Sequence, residues 1–224
     1  TSLFNPEHLD NAKNKDLVLK PMKREGYKYF IGIDPAISTD GDYNVITVIE
    51  MDAEENKSIV YVDRSKNVQF RENIQKVKLL GQVFRPEVIL FETNTFAKSF
   101  TQELRQVADL NVHDFNTTRR KKQEIILNLQ MTLENGKMNF PYGNEESRKV
   151  TSVLVEELSM FAITDKGKFE GIGAHDDMVM SLALANAATH TMSETFILLD
   201  DMGLFDPPKV NKYKRSQGVI GINF

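Results

Sequence analysis

The chain has 224 residues, 41% of them hydrophobic, which is enough for one well-buried core. It contains no cysteine, so disulfide frameworks and thiolate zinc sites are excluded. The net charge of -4 excludes a uniformly basic binder, yet Lys and Arg collect between Lys13 and Lys28, in Arg119-Arg120-Lys121-Lys122, and between Lys209 and Arg215. An acidic average with local basic stripes suits a chain that holds cations with carboxylates and grips anions elsewhere.

The longest apolar stretch, Met178 to Ala188, includes Ser181 and Asn186 and is too short to span a bilayer. No signal peptide is recognisable, so we expect a soluble protein with no membrane partner. Thr1 stands where an initiator methionine would, and a piece of a longer protein is expected.

Residues 1–26 are polar and non-periodic, interrupted by Pro6 and Pro21, and are expected to form an arm or linker. Tyr29 to Ile33 is an apolar strand that stops at Asp34-Pro35. Val45 to Met51 and Ile59 to Val62 follow as β-rich runs on short polar connections, the pattern of an antiparallel meander. Phe70, Ile74, Val77, Leu80 and Phe84 recur at helical spacing. Val88 to Phe91 is a buried-type strand ending at Glu92. Phe96, Phe100, Leu104 and Val107 mark a helix with Thr95 as its expected cap, and Val112 to Phe115 a further strand.

Helices are then expected at about Arg119–Glu134 and Glu145–Phe161. Ile163 to Ile172, around Asp165-Lys166-Gly167-Lys168, predicts a hairpin. A last helix runs from about Asp176 to His190, and residues 196–224, with Pro207-Pro208, form an irregular basic tail. Three antiparallel strands followed by helix-linked parallel strands make an α/β fold, a mixed sheet with helices on both faces. The main domain is expected over residues 27–195.

Three acidic positions stand out. Asp34 ends the first strand, Glu92 ends the fourth, and Asp176-Asp177 open the last helix. If the first and fourth strands lie side by side and parallel, Asp34 and Glu92 meet at one sheet edge, and a helix N-terminus above them brings Asp177 to the same point. Clustered carboxylates repel unless a cation neutralises them. Oxygen ligands without Cys and with only four His suit Mg²⁺ or Mn²⁺ rather than zinc. The structural alternatives are a turn-forming Asp34 before proline, and acidic residues that merely favour a helix dipole. Asp42, in the turn Asp40-Gly41-Asp42, is a further candidate near a metal, and His175 a cap or supporting donor.

Thr117-Thr118-Arg119-Arg120-Lys121-Lys122 is the expected phosphate grip. Thr117 or Thr118 caps a helix whose first turn carries four positive charges, against its dipole, and an anion would resolve that conflict. Lys166 and Lys168, just before the third acidic motif, are candidates for touching DNA. The tail around Lys212-Tyr213-Lys214-Arg215 is a candidate docking segment.

The motifs resemble those of one family. Phe30-Ile31-Gly32-Ile33-Asp34-Pro35-Ala36 with Asp42-Tyr43-Asn44, then Leu90-Phe91-Glu92-Thr93-Asn94, then His175-Asp176-Asp177-Met178-Val179-Met180-Ser181-Leu182 are similar, in order and spacing, to the nuclease domain of tailed-phage terminase large subunits. The resemblance spans roughly Tyr27 to His190. It implies an RNase H-like fold and metal-dependent endonuclease cleavage of concatemeric double-stranded viral DNA during genome packaging, with two Mg²⁺ or Mn²⁺ ions. Asp34, Glu92 and Asp177 carry over as catalytic metal ligands, with Asp176 as a helper or second ligand. It also implies a packaging ATPase domain in the same full-length chain, portal and small terminase subunit as partners, and the host cell cytoplasm as location. No Gly-x-x-x-x-Gly-Lys-Ser/Thr motif is present, so the chain is expected to be the nuclease part only. The other readings are a Holliday-junction resolvase or transposase on the same fold, and a DNA-docking module without catalysis. An actin-like ATPase would need a second copy of the fold and Gly-rich phosphate loops.

Overall fold

Asn5, Pro6 and Leu9 fold the first stretch instead of leaving it an arm. Asn5 accepts from the Glu7 N–H at 2.9 Å and caps helix α1 (Pro6–Ala12). Pro6 takes the first turn, where its missing N–H is no loss. Leu9, Ala12 and Phe4 are buried, and the Phe4 ring meets Phe161 edge-on at 6.1 Å. The two-residue strand β1 (Lys13–Asn14) then pairs in parallel with a later strand. This corrects the expectation of a free arm over residues 1–26. A helix of 7 residues is too short to display apolar periodicity, and tertiary burial holds it.

The structure, a computed structural model, describes residues 2–35, 43–93, 98–172 and 175–190. Asp42, Thr95 and the tail from residue 196, with Lys212 and Arg215, lie outside the described residues. The meander comes next: β2 (Lys28–Asp34), β3 (Asn44–Met51) and β4 (Lys57–Ser65), antiparallel throughout. Helix α2 (Phe70–Phe84), strand β5 (Val88–Glu92), helix α3 (Lys98–Ala108) and strand β6 (Val112–Phe115) follow. Then come α4 (Arg119–Glu134), β7 (Met138–Pro141), α5 (Glu145–Met160), the hairpin β8 (Phe161–Ile163) and β9 (Phe169–Gly171), and α6 (Asp177–His190). Strand β7 was not expected from the sequence. It has only four residues and is defined by its neighbours, β4 on one side and β1 on the other.

Among the described residues seven strands form one mixed sheet in the order β1-β7-β4-β3-β2-β5-β6. β2 pairs antiparallel with β3 and parallel with β5, as the motif argument requires. Alternation along the strands separates two faces. Tyr29, Ile31 and Ile33 of β2, Ile46 and Val48 of β3, and Ile89 and Phe91 of β5 pack with Ile74, Val77 and Phe84 of α2 and Leu104 of α3. The even-numbered positions of β2 and β5, Gly32, Asp34, Leu90 and Glu92 among them, therefore turn to the other face. There α6 lies on the sheet, with α4 and α5 packed against it. Every residue of α6 from Met178 to Thr189 is buried. Helices thus cover both faces, as the element order predicts, and the arrangement is the RNase H-like one that the resemblance implies.

Candidate active site

Register brings the first two carboxylates together. Gly32 pairs with Leu90 and Ile33 with Phe91, so Asp34 and Glu92 occupy the next rung of the parallel β2–β5 pair, on the face that carries α6. Helix α6 approaches at Gly32. A Cβ there would stand 2.2 Å from the Ser181 carbonyl and 2.3 Å from the Ala185 nitrogen, so only glycine admits the helix backbone. Ser181 Oγ donates to the Gly32 carbonyl at 2.9 Å and lies 2.9 Å from Thr47 Oγ1, which fixes the helix at this height. From that point, two residues along β2 (about 6.6 Å) and one turn back along α6 (about 6 Å) lead to Asp34 and Asp177 respectively.

Asp34 is buried, and its carboxyl is held well above the ordinary aspartate range. Burial is the main cause, followed by the charge of Glu92, a hydrogen bond with it, and the charges of Asp177 and Asp176. The other three expected acidic residues therefore all act on Asp34. Glu92 accepts from Thr117 Oγ1 at 2.5 Å. Asp177 accepts from the Tyr43 N–H at 3.3 Å and lies 3.5 Å from His175 Nδ1, so His175 stands where a supporting donor was expected. Asp176 accepts from Lys122 Nζ at 2.9 Å.

One local expectation changes and one is resolved. The last helix was expected to start at about Asp176, with acidic residues of its own in the first turn. Instead Glu157, buried on α5, accepts from the N–H groups of Met178 (2.9 Å) and Val179 (3.4 Å), and the helix begins at Asp177. Of the two expected cap candidates Thr118 caps α4, accepting from the Lys121 N–H at 3.2 Å. The sequence reading missed Glu157, and it placed Thr117 at the start of α4 without its bond to Glu92. Glu157 carried a signal, a charge on the buried stripe formed by Thr151, Leu154 and Leu158.

The basic turn of α4 is distributed rather than uniform. Arg119 donates to the carbonyls of Lys166 (3.0 Å) and Gly167 (2.9 Å) and so ties α4 to the hairpin turn. Arg120 pairs with Glu124 at 3.0 Å. Lys121 Nζ lies 5.9 Å from the Phe115 ring centroid, and Lys122 is the counter-ion of Asp176. The charges that oppose the helix dipole are thus partly answered inside the protein. Lys166 and Lys168 are exposed on the β8–β9 turn.

Carboxylate oxygens without a sulfur ligand suit a hard divalent cation, and burial with neighbouring negative charge holds the Asp34 carboxyl well above its ordinary range. Among the described residues no group of three or more His, Asp or Glu side chains is placed so that it could hold a metal ion.

Residues 31–188 match the family described as the terminase RNaseH-like domain. The chain belongs to that family. The crystal structure of the large terminase nuclease from thermophilic phage G20c with bound magnesium is 23% identical, with a TM-score of 0.65 over 83% of this chain and 96% of that one. The nuclease domain of the large terminase subunit gp2 of bacterial virus Sf6 is 11% identical, with a TM-score of 0.57 over 83% and 98%. The HK97 bacteriophage large terminase matches over 84% of this chain but 43% of its own, at 11% identity and a TM-score of 0.58. No curated protein matches. The terminase nuclease fold therefore holds for this chain.

Proposed function

We propose that this terminase domain is a divalent-metal-dependent endonuclease that cuts double-stranded viral DNA concatemers during genome packaging. The observation that supports the reading is the approach of Glu92 to the buried Asp34 carboxyl at the ends of two parallel strands, with Asp177 and Asp176 near enough to raise it further. Asp34, Glu92 and Asp177 would hold the metal through carboxylate oxygens, with Asp176 helping from the rim, steadied by Lys122. Two Mg²⁺ or Mn²⁺ ions, when bound, would supply an activated water and charge stabilisation for the leaving oxygen of the phosphodiester. Thr117 orients Glu92, and the Tyr43 N–H orients Asp177. That G20c nuclease structures carry bound magnesium, cobalt or zinc supports a divalent cation at this site.

The DNA grip in this reading is the start of α4, Arg119 to Lys122, with Lys166 and Lys168 across the hairpin that Arg119 ties down. The remaining partners are a packaging ATPase domain in the same full-length chain, the portal and the small terminase subunit, acting in the host cell cytoplasm. The 43% coverage of the HK97 large terminase supports the place of a further domain. Among the described residues no helix is long and apolar enough to cross a membrane.

Supercoiled plasmid incubated with the chain tests the activity. Mn²⁺ or Mg²⁺ is expected to convert it to nicked and linear forms, and EDTA to stop the conversion. Intact plasmid at every metal concentration, with duplex still bound, would leave a DNA-docking module. A second measurement tests the grip. The Arg120→Ala, Lys121→Ala pair is expected to weaken duplex binding in EDTA and to lower the slope of log affinity against log salt by about 1 for each phosphate no longer neutralised. An unchanged slope would make this turn an ordinary solvated face.

A further inference from the structure

The first turn of α6 is held from outside its own segment. A helix that begins with two aspartates ordinarily satisfies its free N–H groups with one of them. Here Asp177 is turned to the Tyr43 N–H and Asp176 to Lys122, and the N–H groups of Met178 and Val179 go to Glu157 Oε2, at 2.9 and 3.4 Å. The other oxygen, Oε1, lies 3.5 Å from Arg64 Nη2 and makes no hydrogen bond. The Arg64 guanidinium stacks on the Tyr43 ring, 3.4 Å from its centroid, and Tyr43 is the residue whose N–H meets Asp177. The same ring stands edge-on to His175 at 5.3 Å. A closed circuit runs from Glu157 through Arg64 and Tyr43 to the Asp177 carboxylate, and back through the α6 backbone to Glu157.

We propose that Glu157 is a positioning residue for the acidic centre, fixing Asp177 from both sides: its backbone through the cap, its carboxylate through Arg64 and Tyr43. The inference rests on the reading of Asp177 as a metal ligand. A burial-tolerant Ser or Thr would cap the helix at less cost than a buried charge. The carboxylate gains its place by serving the cap with one oxygen and Arg64 with the other. It also takes the N–H groups of Met178 and Val179 on itself, beside Asp177 with its bond to the Tyr43 N–H and Asp176 with its bond to Lys122. Groups that orient ligands in this way typically cost about 10–100-fold in metal affinity when removed.

Calorimetric titration of Mn²⁺ into the 224-residue chain tests the proposal. Glu157→Ala is expected to weaken Mn²⁺ binding by ~10-fold or more. Glu157→Gln, which retains an acceptor for the two N–H groups, is expected to recover most of that loss. Arg64→Met, which opens the circuit and spares the cap, is expected to weaken binding several-fold and decides the matter if Glu157→Ala does not fold. Leu154→Ala, on the same buried stripe of α5, is the stability control: it should lower the melting temperature and leave Mn²⁺ affinity unchanged. In metal-free protein, amide exchange at Met178 and Val179 should accelerate in Glu157→Ala and not in Glu157→Gln. Wild-type affinity in both Glu157→Ala and Arg64→Met, or an equal loss in Leu154→Ala, overturns the proposal. Failure of the wild-type chain to bind Mn²⁺ is a separate result: it removes the metal reading itself, and this inference with it.

Discussion

Asp34→Asn is expected to abolish plasmid cleavage while raising the thermal stability of the metal-free protein. The substitution preserves shape and removes the charge that a cation would meet. The loss of several kcal/mol of metal-borne stabilisation corresponds to roughly 10³-fold or more in rate, at about 1.36 kcal/mol per tenfold. The stability change has the opposite sign, for a reason visible in the site. Burial, then Glu92, then the charges of Asp177 and Asp176, raise the Asp34 carboxyl well above its ordinary 3.8. A group whose folded value is raised lends its stability fully below the unfolded value and loses it as pH rises through the folded one. Wild-type metal-free protein should therefore weaken as pH climbs above the ordinary aspartate value of 3.8 through the raised folded one, and Asn removes this group's share of that slope. Adding Mn²⁺ should lift the wild-type melting temperature and leave the variant's unmoved. A variant that cuts at the wild-type rate in Mn²⁺ would reduce Asp34 to a turn residue.

Gly32→Ala is expected to dismantle the same site without touching any charge. The added Cβ meets backbone atoms of α6, the Ser181 carbonyl and the Ala185 nitrogen, and neither can rotate away as a side chain would. Overpacking commonly costs about 1–3 kcal/mol, and a backbone clash belongs at the upper end. For a chain of this size that is a fall of roughly 6–12 °C in melting temperature. Lifting α6 from β2 also moves Asp177 away from Asp34, so Mn²⁺ binding should be lost in whatever protein remains folded. Ser181→Ala removes only the hydrogen bonds to Gly32 and Thr47 and is expected to cost about 1 kcal/mol. If Gly32→Ala melts no lower than Ser181→Ala, the helix does not sit on the strand in this way.

The legibility of this chain varied with the range of the interactions involved. The meander and the β2–β5 pair were readable because apolar runs such as Tyr29 to Ile33 and Val88 to Phe91 announce buried strands by themselves. The meeting of Asp34 and Glu92 followed from where those runs stop. Pro6 misled, since a proline that breaks a helix interior also begins one. Strand β7 exists through its partners, and four residues carry too little alternation to reveal it. The basic turn at Arg119 was legible as charge but not as geometry. Lys122 finds Asp176 54 residues away, and Glu157 finds Met178 21 residues away. Nothing local in either segment names its counterpart.

The grip of Arg119 on the hairpin constrains how this protein can drift. Its guanidinium holds the carbonyls of Lys166 and Gly167, groups that every residue possesses. The side chains at 166 and 168 can therefore be exchanged over generations without unfastening the turn, and the hairpin can present new chemistry from an unchanged station. Residue 167 has no such licence. Its φ of +66° favours glycine, and a Cβ there would stand 2.8 Å from the Arg119 guanidinium. Freedom to vary and the demand for invariance thus alternate residue by residue along one exposed loop.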